Sequence, residues 1–71
     1  MNMKYEDMQP WQRRVVDELT ELDIKVRKLQ AFQCSTGYDC LSEDNRKLLR
    51  MQYFAMSAYK EILEMRIIRF E

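Results

Sequence analysis

Residues 33–41 read QCSTGYDCL, and this stretch decides the fold. It holds the only glycine, Gly37, together with Ser35, Thr36 and Asp39, whose short polar side chains bond nearby backbone and favour turns. On both sides of it the apolar residues recur with the period of a helix. The stretch is the one connector between two long helices, and the chain reads as all-α, an antiparallel two-helix hairpin.

Working back from the connector, Val15, Leu19, Leu22, Val26 and Leu29 recur at alternating steps of four and three. That is the stripe of a helix packed along its length on another. Trp11 and Phe32 extend the stripe at its ends, while Val16, Ile24 and Ala31 lie off it and mark a second, narrower contact surface. Glu21 with Lys25, and Asp23 with Arg27, place an acid four residues before a base, which suits a solvated helix face. Asp7 is the expected N-cap, with Pro10 tolerated in the first turn, so the helix is predicted to start near residue 8. Met1 to Glu6 is short and polar and is expected to be loose unless a partner orders it. The organisation is an N-terminal segment, 1–7, and a helical hairpin domain, 8–71.

Working forward, Ser42 can cap the second helix, and Glu43 and Asp44 put negative charge on its exposed amides. This helix is predicted to run to about Phe70. It is apolar over a wide arc: Leu48, Ala55, Tyr59 and Ile62 mark one stripe, and Leu49, Met56, Leu63, Ile67 and Phe70 a second. One partner helix cannot cover both. Two rods of roughly 35–40 Å each, at about 1.5 Å per residue, have no third element to close over them. A hairpin this small, without a disulfide or metal, rarely buries enough surface to stand alone. An obligate oligomer, a bundle built from several hairpins, is therefore expected.

Composition agrees with helices and narrows the chemistry. In 71 residues, 46% are hydrophobic and 34% charged, with one Gly and one Pro, which leaves no room for a multidomain enzyme or a turn-rich β fold. Twelve basic residues balance twelve acidic ones, so no global field draws the chain to duplex DNA or to an anionic membrane. No apolar run approaches the ~20 residues of a membrane span, and MNMKYEDMQ lacks the apolar core of a signal peptide. A cytosolic chain is expected. Cys34 and Cys40 are then free, partly buried thiols, the alternative being a disulfide that closes the loop between them.

There is no His, and the cysteines lack a CxxC spacing, so no metal site is expected. Ser35, Thr36, Ser42, Ser57 and the cysteines have no His to act as base. With one Gly and no GxGxxG or GxxxxGK[ST], no phosphate-cradling loop forms. The expectation is a protein that is not an enzyme and needs no cofactor. What remains is cations and aromatics on rigid helices, a chemistry that binds a flat anionic ligand without transforming it. Trp11 lies near Arg14 on the first helix, with Lys25, Arg27 and Lys28 farther along; Arg46, Lys47 and Arg50 form a second basic patch, and Arg66 with Arg69 a third. The plainer alternative is that Trp11 only ends the apolar stripe and the cations pair with Asp17, Glu18, Glu21 and Asp23.

Pro10, Trp11, Gln12, Arg14 and Val15, followed by Glu18, Leu22, Lys25, Lys28, Leu29 and Phe32, form a P-W-Q-x-R-V-x-x-E-x-x-x-L-x-x-K-x-x-K-L-x-x-F pattern. Leu48, Leu49, Gln52, Met56, Tyr59, Leu63, Arg66 and Ile67 follow on the returning helix. Over residues 10 to 70 the chain resembles the phage anti-CBASS and anti-Thoeris sponges. That resemblance implies interlocked hexamers in the cytoplasm of an infected bacterium. They would hold cyclic dinucleotides, and also cyclic trinucleotides or cyclic ADP-ribose isomers, without cleaving them, so that the host's immune effector is starved of its signal. It implies a pocket between protomers in which Trp11 stacks and Lys25 meets phosphate, with Arg14 and Lys28 as supporting cations and a separate trinucleotide site near Arg50 or Arg66. Two other classes stay open: an adaptor hairpin that docks on a protein through its wide apolar helix, and a binder of single-stranded nucleic acid.

Overall fold

Pro10 opens the first long helix, α1 (Pro10–Gln33), in a computed structural model that describes residues 3–70. Proline suits this position because its fixed φ is already helical and its missing N–H would have had no partner. Gln9, not Asp7, is the N-cap: its backbone N–H donates to Oε1 of Gln12 at 2.8 Å. Asp7 instead closes a 3-10 turn at Tyr5–Asp7. The reason is Met8, whose side chain is buried in the core and pulls the chain across the end of the hairpin before α1 begins.

The segment before α1 is docked rather than loose where it is described; Met1 and Asn2 lie outside the described residues. The Tyr5 hydroxyl donates to the Asp17 carboxylate at 3.1 Å. Arg13 donates to the carbonyls of Tyr5 at 3.1 Å and Glu6 at 2.7 Å, with its guanidinium 5.5 Å from the Tyr5 ring centroid.

The connector contains a single helical turn, α2 (Thr36–Asp39). Ser35 caps it by accepting from the Tyr38 N–H. Tyr38 packs edge-on against Phe32, with ring centroids 6.2 Å apart. Gly37 is needed here for space and not for a left-handed backbone, since a Cβ would sit 3.2 Å from Cε1 of Phe32. Both cysteines are free, and both are exposed rather than partly buried, since the turn that carries them packs through Tyr38 against Phe32 and not through either thiol.

Ser42 caps the last helix, α3 (Glu43–Ile68), by accepting from the Asn45 N–H at 3.2 Å. It runs antiparallel to α1, as the cross-helix contacts establish: Gln33 donates to the Leu49 carbonyl, Asp23 meets Lys60, Glu18 meets Tyr59 and Trp11 meets Phe70. The stripe of α1 facing α3 is the expected one, with Val15, Leu22 and Val26 buried and Leu19 packed beside them. From α3 the stripe carrying Met56, Leu63, Ile67 and Phe70 packs against it, and Leu63 is fully buried.

This core is thin. The molecule measures 47 × 16 × 16 Å, and its radius of gyration of 15.5 Å exceeds the ~11 Å of a compact domain of this length. Its accessible surface of 5567 Å² is about 800 Å² above the ~4,700 Å² scaling value for a folded monomer of this mass. The surplus lies largely on α3, where Leu48, Met51, Phe54, Ile62, Met65 and Ile68 are each more than half exposed.

Candidate functional site

The contacts across the α1–α3 seam divide the hairpin into two long edges. On one, Glu18 of α1 accepts from the Tyr59 hydroxyl of α3. On the other, Asp23 is bound by Lys60 Nζ at 2.8 Å and by Arg27 Nε at 3.0 Å.

The Tyr59 edge carries the residues that the sequence singles out. Trp11 is 48% exposed and rests edge-on against Phe70, with centroids 5.3 Å apart, so one end of the indole is anchored while its surface stays open to solvent. Trp11, Arg14, Glu18, Glu21, Lys25, Lys28 and Phe32 follow one another along α1 in steps of three and four, which puts them on a single strip. Arg14, Lys25 and Lys28 are exposed and make no ion pair among the described residues. The expected Glu21–Lys25 pair does not form. These cations keep their full capacity to meet an anion.

The structure does not bring all four residues together within one chain. Fourteen residues of helix separate Trp11 from Lys25, a rise of ~21 Å. Trp11 with Arg14 forms one cluster, and Lys25 with Lys28 another. A ligand of a few ångströms' reach cannot span them on one copy.

Glu18 and Tyr59 occupy the middle of this edge, and the sequence reading did not foresee their bond. The Glu18 carboxylate, as hydrogen-bond acceptor, holds the Tyr59 hydroxyl above its ordinary range, with burial adding to the shift, while nearby Arg66 opposes it. Arg66 thus belongs to this edge. Arg50 does not: it donates to the Tyr38 hydroxyl at 3.0 Å, and that hydroxyl donates to the Arg46 carbonyl at 3.3 Å. With Arg46 reaching the Asp39 carbonyl at 3.4 Å, two of the three cations of the second basic patch are spent on fastening α2 to α3.

The opposite edge holds a cleft of about 380 Å³ lined by Leu19, Thr20, Asp23, Lys60 and Glu64, with none of the four sequence-selected residues. Two of its charges, Asp23 and Lys60, satisfy each other. The Lys60 ammonium holds Asp23 below the usual carboxylate range, and the same contact holds Lys60 above its own. Asp23 and Arg27 do pair, as expected, with Arg27 in solvent and Asp23 turned toward the helix–helix seam, where Lys60 also meets it. Among the described residues no three His, Cys, Asp or Glu side chains gather as metal ligands, and no helix is long and apolar enough to cross a membrane.

The chain is 34% identical over 64 residues to an uncharacterized 7.5 kDa protein of the denB–rIIB intergenic region of Enterobacteria phage T4, an alignment that covers 90% of this chain and 100% of that protein. No solved structure matches. The sequence model of the Sequestin family matches residues 9–69, from the N-cap of α1 to the end of α3, and the chain belongs to that family.

Proposed function

We propose that this chain is a phage immune-evasion protein that binds cyclic oligonucleotide second messengers, cyclic dinucleotides above all, in the cytoplasm of an infected bacterium and withholds them uncleaved from the host's effectors. The observation that carries the proposal is the strip on α1: a half-exposed, anchored indole and three cations without an ion pair among the described residues, in two clusters ~21 Å apart. An indole face stacks on a base, and an ammonium or guanidinium neutralises a phosphate. Membership in a family named for sequestration, and a relative from phage T4, support the reading.

The separation of the two clusters gives the pocket its form. If two copies lay their α1 strips together antiparallel and centred near Glu18, Trp11 of one copy faces Lys25 of the other, and the match occurs twice per pair. Arg14 then approaches Glu21 of the second copy, which offsets the approach of the two Glu18 carboxylates at the centre of the pair. The hairpin alone has no concave pocket on this edge, and apposition supplies one. Sequestration needs only tight stoichiometric binding, so a chain without His or a nucleophile–base pair is sufficient for it.

A thermal-shift titration with cyclic dinucleotides, cyclic trinucleotides and cyclic ADP-ribose isomers tests the reading. A ligand present at about a hundred times its dissociation constant stabilises by ~2.7 kcal/mol and raises the melting temperature on the order of 10–20 °C. The ligand is expected back intact after denaturation. Linear product would make the chain an enzyme, and no shift with any ligand would leave the apolar face of α3 as evidence for an adaptor.

A further inference from the structure

We infer that α3 pairs antiparallel with α3 of a second copy through a face that α1 leaves exposed. The inference deepens the assembly part of the proposed function and rests on it only in expecting more than one copy. Leu48, Met51, Ala55, Ala58, Ile62 and Met65 recur in steps of three, four, three, four and three. All six are exposed, on the side of α3 that continues outward from Tyr59 and Arg66, about a third of a turn round from Leu63 and Ile67. Such a regular seam belongs to a helix with another helix laid along it, and α1 already occupies a different face.

The ends of the seam identify the occupant. One step beyond Leu48 is Asp44, and one step beyond Met65 is Arg69; both are exposed and neither makes an ion pair among the described residues. In an antiparallel pair of identical helices, Asp44 of each copy meets Arg69 of the other. Leu48 then faces Met65, Met51 faces Ile62, and Ala55 faces Ala58. Every apolar layer is filled, both ends are neutralised, and small residues at the centre permit close approach. A parallel pair would set Asp44 on Asp44 and Arg69 on Arg69, like on like. The sequence of the face is its own complement in one orientation only.

The strip from Asp44 to Arg69 is ~38 Å long and about one helix, ~10 Å, wide, a footprint of about 380 Å², roughly half of what one partner contributes to a standard interface.

Sedimentation of the full-length chain tests the inference. Ala58→Arg buries an unpaired charge at the centre of the seam, so the assembly should fall to half its mass or less, with its apparent dissociation constant raised about 100-fold or more, at unchanged helicity. Asp44→Arg and Arg69→Asp should each weaken association, and the double variant should restore it, because the pair is re-formed between copies. An undiminished mass for Ala58→Arg overturns the seam, and failure of the double variant to restore what both singles weaken overturns the antiparallel register. Ligand binding is a separate readout. A wild-type assembly that responds to Ala58→Arg but to no cyclic nucleotide keeps this interface and sinks the sponge, whereas an unchanged mass with retained ligand response does the reverse.

Discussion

Replacing Trp11 with leucine is the sharpest test of the proposed pocket, and the structure explains why alanine is the wrong choice. The indole is about half buried and touches Phe70 at 5.3 Å. Truncation to alanine exposes on the order of 100 Å² of apolar surface, about 2.5 kcal/mol, and removes an aromatic pair of ~0.5–1.5 kcal/mol. A core this small supplies only ~3–5 kcal/mol in total, so Trp11→Ala would confuse loss of fold with loss of ligand. Leucine keeps most of the buried area and gives up the π face. Base stacking contributes ~1–3 kcal/mol per base, so Trp11→Leu should raise the dissociation constant for a cyclic dinucleotide by roughly 5- to 150-fold. The measurement is calorimetric titration of the assembled protein, with sedimentation to establish that the particle is intact. Trp11→Tyr, which restores an aromatic face, should bind within about threefold of wild type. Wild-type affinity in the leucine variant would return Trp11 to a purely structural role.

Lys25→Gln should weaken the same ligand by roughly 10- to 150-fold, the equivalent of one charge-assisted hydrogen bond, without changing particle mass; binding unaltered at low salt would remove Lys25 from the pocket. Leu63→Ala, at the one fully buried large side chain, should cost about 3–5 kcal/mol and leave the chain largely unfolded by circular dichroism at micromolar concentration, and a cost below ~1 kcal/mol would mean that α1 and α3 do not meet as described. Stability should also fall at high pH. Tyr5, Tyr59 and Lys60 are all held above their ordinary values by carboxylate partners, so their contributions are whole below pH 10 and are lost as pH rises through the raised values. Asp23 is held below its ordinary value, so its share is whole above about pH 4 and is lost only in stronger acid. Urea melts across pH 5 to 11 should be flat to about 10 and decline beyond, and a decline beginning near pH 8 would contradict these pairs.

Periodicity made most of the fold legible, because one thin core recruits one stripe from each helix. The α1 stripe through Val15, Leu22 and Val26 and the capping of α3 by Ser42 needed no tertiary information. The start of α1 did. Asp7 is a better intrinsic cap than Gln9, but the burial of Met8 decides where the chain turns, and hydrophobic anchoring outweighs cap preference. Likewise, α2 looked like an irregular loop because a single capped turn leaves no repeat to detect. The candidate site was legible only as a set of residue types. Helical spacing places Trp11, Arg14, Lys25 and Lys28 on one strip, but the Glu18–Tyr59 bond and the use of Arg46 and Arg50 as fasteners for α2 depend on cross-helix neighbours that single-helix spacing cannot express.

The two self-complementary surfaces constrain what assembly can result. A pocket formed where α1 strips meet, and a seam formed where α3 helices meet, would both be isologous contacts, made by different helices of one rod. A protomer that makes one such contact forms a dimer and stops. A protomer that makes both always passes the chain of contacts on, alternating α1 with α1 and α3 with α3, until it closes into a ring with an even number of copies or continues as a filament. A closed particle of six, with three of each contact, satisfies this rule, whereas three or five copies do not. Each α1 contact in such a particle carries two Trp11–Lys25 junctions, so closure yields one dinucleotide half-pocket pair per copy. The α3 seam would then gather more pockets into one particle without touching ligand or changing their number per chain, so the Ala58→Arg particle should bind about as many ligands per chain as the wild type while being at most half its mass.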